Sequence, residues 1–103
     1  MNEINVMTTD ELQKALEENK DLAIIDVRED EEVAQGMIPT AKHIPLGHVP
    51  EEVDNLDSSK EYVMVCRSGK RSMNASEFLN QKGFKKVNNL EGGMLDWKGE
   101  LVF

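Results

Sequence analysis

Hydrophobic residues fall along this chain in short blocks separated by polar and glycine-rich breaks. Residues 22 to 27, Leu-Ala-Ile-Ile-Asp-Val, form a nearly continuous apolar run rich in β-branched side chains, the pattern of a strand buried on both faces. Residues 61 to 65, Glu-Tyr-Val-Met-Val, predict a second strand, and Lys86 to Asn88 a third. Between them the period changes. Thr8 and Glu11 have capping-box spacing and Leu12, Ala15 and Leu16 follow at helical intervals, which predicts a short amphipathic helix over 9 to 18. Met73, Ala75, Phe78 and Leu79 share one face of a helix from about 72 to 82, with Gly83 as its stop. Asp30, Glu31 and Glu32 suit the first turn of a brief helix ended by Gly36, because carboxylates oppose the positive end of the backbone dipole. The segment Met37 to Leu46, with two prolines, reads as extended structure with a turn, and Pro50 opens another short helix through Leu56. Leu90 to Trp97 reads as a glycine turn and a last helix that buries Trp97. No repeat, low-complexity tract or linker interrupts the chain.

Strands alternating with short helices predict an α/β fold, a mostly parallel sheet with helices on both faces. In such sheets ligands bind beyond the carboxyl ends of the strands. Cys66 stands at such an end. With 103 residues, one domain over 1 to 103 is expected.

Composition narrows the function. The mean hydropathy of -0.52 and the absence of a long apolar run predict a soluble chain without membrane spans. The first ten residues lack the basic and apolar regions of a secretory signal, so a cytoplasmic location is expected. A net charge of -8 divides unevenly, with -11 over residues 1 to 59 and +3 over 60 to 103. That acidic body disfavours nucleic acid and anionic membranes, which require clustered Lys and Arg. The exception is the cluster Arg67, Lys70 and Arg71.

That cluster surrounds the only cysteine. A lone thiol ending an apolar strand is often an inert part of a core. Here, however, Val63-Met-Val-Cys66-Arg-Ser-Gly-Lys-Arg-Ser72 places it before a compact polar loop and a helix start. Gly69 permits positive φ, so successive backbone N–H groups converge on one point above the sulfur, an anion nest. The helix N-terminus and the loop cations favour a thiolate there, nucleophilic at neutral pH. Ser68 and Ser72 belong to the same loop, although Ser72 has the alternative of only capping the helix.

Cys66-Arg-Ser-Gly-Lys-Arg-Ser72 resembles the active-site loop of single-domain rhodaneses, the thiosulfate sulfurtransferase-like family. The resemblance extends to Ile25-Asp-Val-Arg28, to Ile38 through Leu46, and to Val87 through Gly93 with Trp97, in the same order and over nearly the whole chain. It implies a central, mostly parallel five-stranded sheet flanked by helices on both faces. The implied chemistry is transfer of a sulfane sulfur from a donor such as thiosulfate, a persulfide or a polysulfide to cyanide or a thiol. By this resemblance Cys66 is nucleophile and persulfide carrier, cradled by the N–H groups of Arg67, Ser68, Gly69, Lys70 and Arg71. Arg71, with Arg67 and Lys70, would steer a small anionic donor. Asp26 and Arg28 match the family's Asp-x-Arg; two apart on a strand, they share a face, so a local pair and a substrate contact both stay open. A sulfur-relay protein is a further partner the family allows, and no cofactor or metal is implied.

Two positions depart from the family. Met37 stands where Gly-His-Ile is frequent, and His43 where many relatives carry Asn. Nothing in the sequence places His43 or His48 near Cys66, and a single cysteine offers no metal-ligand cluster. A cysteine phosphatase or arsenate reductase would space cysteine and arginine as C-x5-R; four residues separate Cys66 from Arg71. A non-turnover relay or binding module is the alternative from another class.

Overall fold

The two apolar runs pair with each other at the middle of a sheet and bring Cys66 to its carboxyl edge. A computed structural model of the chain describes residues 4–103. Its strands are β1 (Ile4–Met7), β2 (Ala23–Asp26), β3 (Lys42–His43), β4 (Tyr62–Val65) and β5 (Val87–Leu90), in the order β1-β5-β4-β2-β3. All four neighbouring pairs are parallel. The helices are α1 (Thr9–Glu17), α2 (Asp30–Val33), α3 (Val49–Glu52), α4 (Lys70–Gln81) and α5 (Gly93–Asp96), with single 3-10 turns on either side of α3.

Alternation along the central strands divides the interior in two. Ile25 and Met64 join Val49, Val53, Ala75, Leu79 and Phe84 on the α3 and α4 side. Ile24, Val63 and Val65 join Leu12, Ile38 and Leu90 on the other, against which Met94 and Trp97 pack. Both faces of β2 and β4 are therefore dry, as their near-continuous apolar character requires.

α1 starts on the predicted capping box: the Glu11 N–H donates to Thr8 Oγ1 at 3.1 Å and the Thr8 N–H to Glu11 Oε1 at 2.8 Å. Three features differ from the sequence reading. β1 was not anticipated; it pairs with β5 at the sheet edge with Val6 exposed and no apolar run to mark it. α4 begins at Lys70 instead of about 72, because Gly69 adopts φ 106° and serves as its N-cap. Trp97 lies just past α5 and is half-buried, its indole N–H donating to Glu100 O at 2.9 Å.

Candidate active site

Cys66 follows β4 directly and is 1% exposed. The turn after it is held from outside: Met94 N–H donates to Cys66 O at 2.9 Å and Leu95 N–H to Arg67 O at 3.0 Å. With those two carbonyls turned toward α5, the following N–H groups face the other way. Gly69 N–H reaches Cys66 Sγ at 3.0 Å and the Ser72 hydroxyl reaches it at 3.3 Å. Burial pushes the thiol up, but the Ser72 hydroxyl and the N–H groups of Ser72, Gly69 and Ser68 together outweigh it and hold Cys66 below the ordinary thiol value. The arrangement is a preorganised cradle for negative charge on sulfur.

Ser72 is the third residue of α4 and fully buried, so it does not cap the helix. Besides the sulfur it meets Asn89 Oδ1 at 2.5 Å, and the Asn89 Nδ2 donates to Gly69 O at 3.0 Å. Asn89, the third residue of β5 and 5% exposed, is a candidate site residue that sequence reasoning missed. Its signal was available: Asn88 and Asn89 form a polar pair inside a strand that is buried at every position. Asn88 serves the scaffold, donating to Tyr62 O at 3.0 Å and Glu61 Oε2 at 3.0 Å.

The loop cations separate into two kinds. Arg67 and Lys70 are exposed, and neither belongs to an ion pair among the described residues. Arg71 makes a two-pronged pair with Glu32 of α2, NH1 to Oε1 at 2.7 Å and NH2 to Oε2 at 2.8 Å. Arg71 holds the Glu32 carboxyl at about 2, and Glu32 in turn, with a smaller contribution from the Cys66 thiolate, raises Arg71.

Asp26 and Arg28 form a buried pair, Arg28 Nε to Asp26 Oδ1 at 2.9 Å and NH2 to Oδ2 at 2.8 Å. Two further donors of Arg28 go to Gly36 O at 2.8 Å and Glu32 O at 3.2 Å. This pair therefore anchors α2, and α2 presents Glu32 to Arg71. His43 Nε2 lies 2.7 Å from Arg28 O, and exposed His48 lies 3.7 Å from Glu51. Neither hydrogen-bonds the sulfur. Met37, at the family's frequent histidine position, exchanges backbone hydrogen bonds with Val102, both at 2.8 Å. Among the described residues no group of three His, Cys, Asp or Glu could hold a metal ion, and no helix is long and apolar enough to cross a membrane.

The engaged state of Arg71 makes a prediction. As a pair, Arg71 and Glu32 offer an incoming anion little net charge. Glu32→Gln leaves the guanidinium as a net cation, so KM for thiosulfate is expected to fall by a few-fold, while Arg71→Ala, which strands a carboxylate, raises it. A neutral organic polysulfide should show smaller changes of either sign. Steady-state kinetics with both donors checks this; equal changes with both would mean that the pair acts on loop structure alone. Acid stability gives a second readout. Because the folded-state value of Glu32 is depressed from 4.5 to about 2, its contribution is full above 4.5 and disappears as pH falls toward 2. The stability difference between wild type and Glu32→Gln should close over that window.

Comparison with known proteins gives the chain its family and its fold relatives. Residues 8–100 match the family model for the rhodanese-like domain. YtwF of Bacillus subtilis (strain 168) is 54% identical over 98 residues, covering 95% of this chain and 94% of that protein. A protein of Allochromatium vinosum named "Sulfurtransferase" is 35% identical over 94 residues, covering 91% of this chain and 88% of its own length. The crystal structure of a rhodanese-like domain protein from Staphylococcus aureus superposes with a TM-score of 0.89 at 41% identity, over 96% of this chain and 97% of that one.

Proposed function

The chain belongs to the rhodanese-like domain family, and from that premise we propose that it transfers sulfane sulfur through a persulfide on Cys66. The observation that carries this reading is the buried Cys66 sulfur with the Gly69 N–H directed at it and the Ser72 hydroxyl within 3.3 Å. Sulfur transfer needs a thiolate that attacks and later leaves, and a cradle that serves both states.

In the first half-reaction the Cys66 thiolate attacks the outer sulfur of thiosulfate. A new S–S bond forms, the donor's S–S bond breaks, and sulfite departs with the electron pair. The charge that was on Sγ now resides on the transferred sulfur, close to the loop N–H groups. In the second half-reaction cyanide or a thiolate attacks that sulfur, the persulfide bond breaks, and its electron pair returns to Sγ. Exposed Arg67 and Lys70 supply the attractive field for the anionic donor. Arg71 adds little net field of its own, because its charge is spent on neutralising the Glu32 carboxylate beside the loop.

Intact-mass measurement tests the proposal. Incubation with thiosulfate alone should add one sulfur atom to the protein, and cyanide should remove it as thiocyanate. Mass gain without turnover to cyanide or small thiols would instead favour a relay that passes sulfur to a protein acceptor. No mass gain with thiosulfate, a persulfide or a polysulfide would overturn sulfur transfer by this residue.

A further inference from the structure

The Ser72 hydroxyl has one proton and two acceptors within reach, Cys66 Sγ at 3.3 Å and Asn89 Oδ1 at 2.5 Å. Asn89 cannot turn away, because its amide nitrogen is committed to Gly69 O at 3.0 Å, which fixes the carbonyl oxygen toward Ser72. All three side chains are buried, so no bulk water compensates the acceptor that goes without. We propose that Asn89 is a positioning residue that restrains Cys66 by competing with its sulfur for the Ser72 hydroxyl proton.

The competition changes sign through the catalytic cycle. With a neutral thiol the proton lies on the Asn89 side, and the thiol can donate to the Ser72 oxygen. With the thiolate the hydroxyl turns to the sulfur and leaves Asn89 Oδ1 unpaired, which costs free energy. In the persulfide, Sγ is an uncharged divalent sulfur and a weak acceptor, so the proton returns to Asn89. When an acceptor attacks the outer sulfur, the S–S bond breaks and its electron pair goes to Sγ, where the hydroxyl turns back to receive it. Asn89 thus makes Cys66 more basic than its cradle alone would, a better nucleophile and a poorer leaving group. This consequence rests on the persulfide reading above; the competition itself does not.

Other charges around the sulfur are accounted for. The loop contributes Arg67 and Lys70, α4 contributes Arg71 paired with Glu32 of α2, and Asp26 at the end of β2 is paired with Arg28. Glu91 lies in the turn after β5 and Asp96 ends α5. Among the described residues none of these side chains hydrogen-bonds Cys66, Ser72 or Asn89.

The test is the thiolate absorbance of Cys66 against pH, which needs no sulfur donor and so stands or falls apart from the assigned reaction. Removing the competing carbonyl by Asn89→Ala, or by Asn89→Val to keep the bulk and suit the strand, should increase the thiolate fraction below the midpoint about fivefold, the equivalent of one hydrogen bond. Ser72→Ala should decrease it. In the Ser72→Ala background the Asn89 substitution should have no further effect, since the shared proton is gone. An Asn89 variant whose midpoint is unchanged or raised would overturn the proposal, as would an effect that persists without Ser72. A thermal melt of each variant verifies that the site is folded. Should both Asn89 variants melt below the assay temperature, competition at this site would be subordinate to loop anchoring, and the proposal would fall.

Discussion

Cys66→Ser is expected to abolish sulfur transfer, lowering thiocyanate production by at least about a thousandfold and eliminating the mass gain with thiosulfate. Serine can occupy the site: its oxygen accepts the Gly69 N–H much as the sulfur does, and the position is fully buried and small. The fold and its melting temperature should therefore change little. The chemistry cannot follow. A serine hydroxyl is too weak an acid for this cradle to ionise at neutral pH, whereas the thiol starts near 8.5 in free cysteine and is shifted further down here. The variant isolates the nucleophile from the nest around it. Residual turnover at the wild-type rate would place the sulfur carrier elsewhere, and no second cysteine exists to take the role.

How much of this was readable beforehand depends on how local each feature is. β2 and β4 were legible because burial on both faces demands uninterrupted apolar residues, and Ile24, Ile25, Val63, Met64 and Val65 supply them. β1 was not, because an edge strand with Val6 exposed needs no such run and is defined by pairing with residues more than eighty positions away. The cradle was legible in outline, since a strand end, a glycine and a helix start lie within seven residues of sequence. Its details were not. The left-handed Gly69 starts α4 early and thereby turns Ser72 inward instead of leaving it as a cap. Asn89 comes from a different strand, and its polarity marks it as unusual without naming its partner. The same limit hid the Arg71 and Glu32 pair: the two residues are 39 apart, and neither has a local pattern that points to the other. Local rules thus locate the proposed nucleophile, Cys66, while the groups packed around its sulfur are set by tertiary structure.

The Gly93→Ala variant should lose both activity and stability, and the reason lies in how the cradle is held from behind. Gly93 opens α5 at φ 52° with its Cα against the loop backbone. A β-carbon there would stand 2.3 Å from Cys66 O and 2.7 Å from Arg67 O. Both contacts are backbone oxygens and cannot rotate aside, so either α5 or the 66 to 69 turn must move. The two hydrogen bonds from Met94 and Leu95 that fix those carbonyls sit on the next residues and would be lost with the displacement. Left-handed strain adds on the order of 1 kcal/mol, and the overlap and two disrupted hydrogen bonds bring the total to roughly 3 to 5 kcal/mol, a large share of a small domain's stability. In any folded fraction the Cys66 and Arg67 carbonyls are no longer held toward α5, so the N–H groups cease to converge on the sulfur. The thiolate midpoint of that fraction should rise toward the free-cysteine value, and sulfur loading from thiosulfate should fall in parallel. A melting curve within a few degrees of wild type, with an unshifted titration, would mean that the loop holds its conformation without α5. The cradle would then be a property of the 66 to 72 segment alone.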